Sequence, residues 1–209
     1  MAFIYFFAAY LLGSISSAIL ICKALGEPDP RSSGSGNPGA TNVLRQSGKK
    51  AALLTLAGDV AKGFLPVLLG TLLHLSPVTI ALLGAGAFIG HLFPIFFQFK
   101  GGKGVATLIG VLFGISPMLG FGFAVTWLIV AGITRYSSLA ALIAAAASPI
   151  IAWALQIPGP IVLSLCALVV LLIWRHRPNI EKLLRGEESK IGQKNKTAQQ
   201  ESTIDTTSK

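Results

Sequence analysis

The sequence predicts an all-α, polytopic integral membrane protein. Hydrophobic residues make up 53% of the 209-residue chain, charged residues make up 12%, and the mean hydropathy is +0.70. Soluble domains usually carry about 25% charged residues. Long apolar segments alternate with short basic loops. In lipid such segments must be helical, because their backbone polar groups have to pair within the segment itself.

Seven apolar segments are predicted to be helices. The first, at residues 3–22, has no basic stretch before it and is long enough to cross a bilayer, so we expect a membrane helix and not a cleaved signal peptide. The segment at 105–117 is short for a full crossing and could be tilted, re-entrant or joined to its neighbour. The other predicted helices are 51–73, 78–97, 118–133, 138–155 and 157–174.

The distribution of charge predicts the orientation. The chain has 17 Lys and Arg against 8 Asp and Glu, a net charge of +9. With seven crossings all basic loops lie on one side, which predicts a periplasmic N-terminus and a cytoplasmic C-terminus. Five crossings are possible if 105–133 and 138–174 each cross once, but Arg135 would then lie outside. The basic stretches are 23–50, Lys100, Lys103, Arg135 and the segment from Arg175 onward.

The predicted organisation is one membrane domain with a tail. Residues 1–188 form a membrane-embedded catalytic domain, and residues 189–209 are polar and predicted to be a disordered cytoplasmic tail. Cys22 and Cys166 lie in apolar segments and are expected to be buried thiols. Nucleic-acid binding is not expected, since no folded basic domain remains outside the helices.

The first unusual polar stretch, RSSGSGNPGATNVLR, covers residues 31–45. Its glycines allow tight turns, whose successive N–H groups can bind an anion. Thr41 or Asn42 is expected to cap a following helix, and Arg45 could make a bidentate contact with an anion. The alternative is a flexible polar linker, which composition alone would favour.

The second polar stretch, QFKGGKGVAT, covers residues 98–107. It lacks the spacing of a nucleotide-binding P-loop. Its glycines nevertheless expose N–H groups, and a helix beginning near Val105 would favour an anion at its N-terminus. Lys100 and Lys103 add positive charge. The alternative is an ordinary basic loop whose lysines contact lipid headgroups.

The third polar stretch, RHRPNIEKLLRGEE, covers residues 175–188, after the last predicted span. His176 and Asn179 would share a face if this segment is helical, and His176 could act as an acid or base near neutral pH. The alternative is a structural histidine beside basic residues that contact headgroups.

The remaining polar residues indicate structural ion pairs, no metal site, and a chemistry of acyl transfer. Asp59 and Lys62 lie within the second predicted helix and are expected to pair, while His91 is expected to hold the loop at 98–104. No group of carboxylates has the spacing expected for a metal ion, so we predict no metal and no cofactor. Acyl transfer from an activated donor fits a site that has many hydrogen-bond donors for an anion and one possible base.

The three stretches together resemble the motifs of the acyl-phosphate:glycerol-3-phosphate acyltransferase family (PlsY). The matching segments are SGNPGATN at 35–42 followed by Arg45, GHLFPIFFQFKGGKGVAT at 90–107, and HRPNIEKLLRGEE at 176–188. The resemblance implies a bacterial inner-membrane enzyme with its active site at the cytoplasmic face. It would move an acyl group from acyl phosphate to the 1-hydroxyl of sn-glycerol 3-phosphate, giving lysophosphatidic acid and phosphate, the first acylation in phospholipid synthesis.

The resemblance also implies residue roles. Ser35, Arg45, His176 and Asn179 would be catalytic, and Glu188 would be structural. Either His176 or a substrate phosphate oxygen would accept the hydroxyl proton, and the lack of a carboxylate–histidine pair favours the phosphate. The predicted substrate-binding residues are Asn37, Gly39, Ala40, Thr41, Asn42, Lys100, Gly101, Gly102, Lys103, Gly104 and Ser138.

The expected partners are the two phosphorylated substrates and membrane lipids, with an acyl-phosphate-producing enzyme as a further candidate. A small membrane carrier for phosphate or another anion is the alternative function, because the same loops would bind phosphate. The absence of an evident internal repeat argues against a carrier built from inverted repeats.

Overall fold

The computed structural model describes residues 2–193, and within this range the regular structure is helical, without strands. The prediction of an all-α membrane fold is confirmed. Of the predicted tail at 189–209, residues 194–209 lie outside the described residues. The helices are α1 (Ala2–Gly13), α2 (Ser17–Ala24), α3 (Ala40–Leu72), α4 (Pro77–Leu92), α5 (Val105–Ile115), α6 (Pro117–Thr134), α7 (Ser137–Ala154), α8 (Gly159–Arg175) and α9 (Arg177–Leu184), with a 3-10 turn at Ile95–Phe97.

Five or six helical segments of the described chain are long and apolar enough to cross a membrane. The sixth is α8, which qualifies only together with α9, and the two are bent by 59°. The predicted segment 105–117 is helix α5, whose 11 residues are too few for a full crossing. The five spans are Ala2–Ala24, Ala40–Leu72, Pro77–Phe97, Pro117–Thr134 and Ser137–Ala154.

Helix α5 starts inside the bundle. It runs parallel to α3, since Gly63 lies against Thr107 near its start and the Thr71 hydroxyl donates to the Gly114 carbonyl at 3.0 Å near its end. Gly104, just before α5, lies against Phe88, one turn before the end of α4. The glycine-containing loop at 98–104 therefore dips into the end of the bundle, and we call it the glycine loop.

All the predicted basic loops lie at one end of the bundle, which we call the polar face. It is formed by residues 25–39, 93–104, 135–136 and 176–193. The Arg175 guanidinium bonds the carbonyls of the glycine loop, and the Ile191 N–H donates to the Arg135 carbonyl at 2.7 Å. The turns at 73–76 and 155–158 lie at the opposite end. The side of the membrane that each end faces stays a prediction.

Close packing between helices relies on small residues, as is usual in membranes, where van der Waals contact replaces the hydrophobic driving force. At Gly86 and Gly90 of α4, an added Cβ would collide with backbone atoms of α1, including those of Tyr10. The largest cluster of buried side chains joins α4 to α8 and includes Phe88 and Phe123. Many large apolar side chains point outward, where lipid would surround them.

Two predicted helices have different boundaries in the structure. The first is broken at residues 14–16 into α1 and α2. The second begins at Ala40, inside the polar stretch, and is kinked at Gly48, whose φ of 81° lies in the left-handed region that favours glycine. At the break the Ile15 carbonyl accepts a hydrogen bond from Lys62 on another helix, a contact that the apolar pattern did not reveal.

Two further predictions about single residues were wrong. Gly39 is the N-cap of α3, so neither Thr41 nor Asn42 caps that helix. Cys166 lies exposed on α8, where a thiol behaves as a small apolar group facing lipid. Cys22 is buried as expected.

Candidate active site

The three polar stretches meet in one open cavity of about 740 Å³ at the polar face. Segments 29–38, 98–103 and 175–182 contribute its walls. The predicted convergence of distant polar segments is therefore present in the structure. The predicted site residues in the lining are Ser35, Asn37, Lys100, Gly101, Lys103 and Asn179.

The cavity carries a surplus of positive charge. Asp29 is the one carboxylate among the described lining residues, and it forms a salt bridge with Arg31, with Oδ2 and Nη2 2.7 Å apart. The hydrogen bond from Arg31 lowers the pKa of Asp29, so this pair is charged and mutually neutralised at neutral pH. The cations left to attract an anion are Lys100, Lys103, Arg175 and Lys182.

The glycine loop is held by Arg175, the last residue of α8. Its Nη2 donates to the Gly101 carbonyl at 2.6 Å and its Nε donates to the Gly102 carbonyl at 3.1 Å. The guanidinium also lies 5.8 Å from the centre of the Phe93 ring, within the range of a cation–π contact. A planar guanidinium suits this arrangement, because its fork of donors can reach two acceptors at once.

Helix α5 begins where the glycine loop ends. Its first residue is Val105, as predicted, and no described side chain caps its N-terminus. Its first N–H groups therefore lie at a partly buried helix end without a side-chain partner, where the helix dipole favours an anion. Gly104 precedes the helix with φ 89°, a conformation that side chains rarely adopt.

Lys103 is the most buried lysine of the glycine loop and begins a chain of polar contacts. Its Nζ donates to Asn179 Oδ1, and Asn179 Nδ2 donates to Glu188 Oε1 at 2.8 Å. The Ser138 hydroxyl donates to the same Glu188 oxygen at 2.6 Å. Burial lowers the pKa of Lys103 to about 8, while the nearby carboxylate of Glu188 opposes that shift. The structural role predicted for Glu188 agrees with this geometry.

His176 lies at the bend between α8 and α9. It is 2% exposed, outside the cavity lining, and its Nδ1 lies 2.8 Å from the Leu172 carbonyl. A carbonyl can only accept, so Nδ1 carries the proton and Nε2 is left as an acceptor. Burial lowers the pKa of His176 to about 4, so the ring is neutral at pH 7. His176 occupies the N-cap position of α9 without a side-chain cap, whereas Asn179, in the first turn of α9, reaches the cavity.

The first polar stretch is ordered by Asn42. Its Oδ1 accepts from the Ser35 N–H at 3.1 Å, and its Nδ2 donates to the Pro30 carbonyl at 2.7 Å. These bonds shape the loop that carries Ser35, so the alternative of a flexible linker does not describe it. Gly39, Ala40, Thr41 and Asn42 lie outside the cavity lining, at the start of α3.

Four other predicted residues also lie outside the lining: Arg45, Gly102, Gly104 and Ser138. Arg45 is exposed on α3, and its charge still contributes to the lowered pKa of Lys103. Gly102 and Gly104 are buried within the glycine loop, and the Ser138 hydroxyl is engaged by Glu188.

The sequence interpretation missed several residues of the cavity. Arg175 matters most, and its signal was a basic residue in the last turn of a span, next to an aromatic residue. The sequence places Arg175 at the start of the third polar stretch and among the basic residues that predict the orientation, but indicates no contact for its side chain. The other missed lining residues include Asp29, Arg31, Gln98, Phe99 and Lys182.

No group of three His, Cys, Asp or Glu side chains within residues 2–193 is placed to hold a metal ion. The prediction that the protein needs no metal or cofactor stays a prediction.

Comparison with known proteins gives consistent matches along most of the chain. A family model described as glycerol-3-phosphate acyltransferase matches residues 3–186. A protein of Paraburkholderia phytofirmans (strain DSM 17436 / LMG 22146 / PsJN) named glycerol-3-phosphate acyltransferase is 55% identical over 192 residues, 90% of each chain. A protein of the same name from Thioalkalivibrio sulfidiphilus (strain HL-EbGR7) is 55% identical over 188 residues, 90% of this chain and 93% of the other.

Two solved structures share the fold. Both are crystal structures of PlsY (YgiH), described as an integral membrane glycerol 3-phosphate acyltransferase. The glycerol 3-phosphate form has a TM-score of 0.87 and 38% identity, and the match covers 91% of this chain and 96% of the other. The lysophosphatidic acid form has a TM-score of 0.85 and 38% identity, with 91% and 95% covered.

Proposed function

Because the chain belongs to the glycerol-3-phosphate acyltransferase family, we propose that it transfers a fatty acyl group from acyl phosphate to the 1-hydroxyl of sn-glycerol 3-phosphate. The products are lysophosphatidic acid and phosphate, and the reaction is the first acylation in phospholipid synthesis. The observation that carries the proposal is the cationic cavity at one end of a membrane bundle, with the glycine loop in its wall. The proposed location is the cytoplasmic face of a bacterial inner membrane.

Glycerol 3-phosphate binds, in this proposal, at the glycine loop. Lys103 and Lys100 supply positive charge, and the uncapped N-terminus of α5 supplies N–H groups. Charge-assisted hydrogen bonds of this kind hold a phosphate dianion more strongly than neutral ones. Ser138 contributes indirectly, since its hydroxyl holds Glu188, which in turn holds Asn179 beside Lys103. The direct substrate contact predicted for Ser138 has no support in this geometry, since its hydroxyl donates to Glu188.

Acyl phosphate approaches from the membrane, with its chain among the helices and its head at the polar face. Ser35 and Asn37 lie in the cavity wall on the loop that precedes α3. The N-terminus of α3 is not capped by any described side chain, so the N–H groups of Ala40 and Thr41 remain as donors close to that loop. Donors placed here would stabilise the negative charge that develops on the acyl oxygen during transfer.

The chemical step is a displacement at the acyl carbon. The hydroxyl oxygen of glycerol 3-phosphate forms a bond to that carbon, the bond from carbon to the phosphate oxygen breaks, and phosphate leaves with the electron pair. The hydroxyl proton passes to a phosphate oxygen. His176 is a poor acceptor for it, because its pKa is about 4 and it lies outside the cavity lining. Positioning of two phosphorylated substrates would supply much of the rate.

The four residues predicted to be catalytic divide into two groups in this proposal. Ser35 and Asn179 line the cavity and can contact substrate directly. Arg45 adds charge from α3, and His176 holds the bend that presents Arg175 and Asn179 to the cavity. An acyl-phosphate-producing enzyme would be the partner that supplies the donor.

The test is an assay of the purified protein in detergent or nanodiscs, with glycerol 3-phosphate and one acyl donor at a time. The donors are acyl phosphate, acyl-CoA and the acyl thioester of acyl carrier protein, each without divalent metal, and lysophosphatidic acid is measured. We expect product with acyl phosphate alone. The matched control is Lys103→Met, which removes the buried charge while keeping the length of the side chain, and it should lose most of the activity.

Each other outcome has a distinct meaning. Product from acyl-CoA, with none from acyl phosphate, would keep the family assignment and overturn the proposed donor. No product from any donor, together with phosphate flux in proteoliposomes, would favour the alternative of an anion carrier.

A further inference from the structure

A group of three charged or titratable side chains is buried within the membrane-spanning helices, outside the cavity. Asp59 and Lys62 lie on α3 with Oδ1 and Nζ 2.9 Å apart, as the sequence predicted. His91 of α4 places its Nδ1 3.6 Å from the same carboxylate oxygen. The three residues are 2%, 5% and 6% exposed. Ionisable side chains at such positions are costly, so their presence needs a reason beyond filling space.

One reason is the contact between His91 and the glycine loop. The Gly102 N–H donates to the His91 carbonyl at 3.2 Å, and a Cβ added at Gly102 would collide with the imidazole ring. A Cβ added at Gly101 would meet the carbonyls of His91 and Leu92. The ring and backbone of His91 thus form the floor on which the glycine loop lies.

The group also reaches the break in the first span. Lys62 Nζ donates to the Ile15 carbonyl at 2.8 Å, between α1 and α2. Lys62 therefore contacts both the break in the first span and Asp59, and Asp59 in turn lies beside His91. The three side chains therefore lie in series between the break in the first span and the glycine loop.

We propose that Asp59, Lys62 and His91 act as positioning residues that fix the glycine loop for phosphate binding. The carboxylate orients the imidazole ring, and the ring supports Gly102 from below. Arg175 holds the carbonyls of the same loop from α8, so the loop is fixed between α4 and α8. None of the three touches substrate. This inference rests on the proposed function, in which that loop binds glycerol 3-phosphate.

The test compares two double variants that both remove the buried charges. Asp59→Asn with Lys62→Gln keeps hydrogen-bonding groups, while Asp59→Leu with Lys62→Met is apolar. Neither leaves one charge unpaired, which is the change most damaging to folding. We call the second double variant the apolar pair, the first the polar pair, and the unsubstituted protein the parent. We expect the apolar pair to raise the KM for glycerol 3-phosphate about tenfold, and the KM of the polar pair to stay within about threefold of that of the parent.

The matched control is Thr71→Val, which removes a partly buried hydrogen bond between α3 and α5 at the other end of the bundle. It should leave the KM unchanged. If the apolar pair fails to fold, His91→Leu provides the second variant, since it leaves the Asp59–Lys62 pair intact. It should also raise the KM about tenfold.

A second readout does not depend on activity. Hydrogen exchange at the amides of 101–104 should be faster in the apolar pair and in His91→Leu than in the parent, with the polar pair close to the parent. Exchange at residues 189–193 should be unchanged, because that segment is held separately by Arg135. Unchanged KM and unchanged loop exchange in a folded apolar pair would overturn the proposal. An inactive parent protein with accelerated loop exchange in the variants would instead overturn the proposed function and leave the positioning role standing.

Discussion

Lys103 has the charge most sensitive to pH near the physiological range. Burial lowers its pKa to about 8, so the side chain is protonated below that pH and neutral above it. A phosphate monoester is already a dianion above its second pKa of about 6. Between pH 7 and 9 the lysine should therefore be the group that loses its attraction for phosphate.

We predict that the KM for glycerol 3-phosphate rises as the pH increases from 7 to 9. The rise should begin near pH 8, because kcat/KM reports the pKa of the group in the free protein. Lys103→Arg is the control, because arginine stays charged throughout this range and should flatten the profile. A profile that is equally steep in Lys103→Arg would assign the titration to another group.

Arg175 provides a separate prediction, because one guanidinium bonds two carbonyls of the glycine loop. Arg175→Lys keeps the charge and loses the fork, so it can hold only one carbonyl in the same place. We predict a rise of about tenfold in the KM for glycerol 3-phosphate, with a smaller effect on the melting temperature. Arg185→Lys, at an exposed position outside the cavity lining, should leave both unchanged. Equal kinetics for the two variants would contradict the role of the fork.

The glycine loop and α5 form an element whose shape depends on Gly104. Its φ of 89° is unfavourable for a side chain, and an added Cβ would meet the ring of Phe88. We predict that Gly104→Ala lowers the free energy of unfolding by about 2 kcal/mol and lowers the melting temperature by several degrees.

The control for that substitution is Gly132→Ala in α6. Gly132 has open space around its Cα and lies within a helix, where alanine is favoured over glycine by about 1 kcal/mol. The melting temperature of the Gly132→Ala protein should be equal to or above that of the parent. A Gly104→Ala protein as stable as Gly132→Ala would show that the backbone before α5 can relax.

The elements could be predicted from sequence to different extents. Apolar segments and basic loops indicated the helices and their common polar end, and the glycine-lysine pattern indicated the start of α5 at Val105. A helix was expected after Thr41 or Asn42, but its start at Ala40 and its continuation into the membrane span were missed because its first turns are polar. Their order comes from Asn42, which bonds the loop that precedes the helix. The break at 14–16 was missed for a similar reason. Lys62 supplies a donor there from another helix, and no local pattern encodes such a partner.

The candidate site shows the same division. Residues near glycines and lysines were predicted because their chemistry is visible in a short stretch. Arg175 was missed as a site residue because its role depends on which loop lies beside the end of α8. The role of His176 could not be predicted either, because burial lowers its pKa and no spacing of residues in the sequence indicates that burial.

The whole molecule has two ends of different chemistry, and the proposed reaction requires the polar face to meet the cytoplasm. Substituted cysteines can test this in a background whose two natural cysteines are replaced by alanine. Ser33→Cys and Glu187→Cys place thiols at exposed sites of the polar face, while Leu73→Cys and Gly159→Cys place them at the opposite end. The excess of Lys and Arg in the loops of the polar face should keep those loops cytoplasmic. A maleimide that cannot cross membranes should therefore label the second pair in intact spheroplasts and all four thiols after permeabilisation. Labelling of the first pair alone would reverse the orientation and leave the cavity intact. Labelling of only one member of the first pair would separate loops that the cavity needs together, and a shared site for two phosphorylated substrates could not exist.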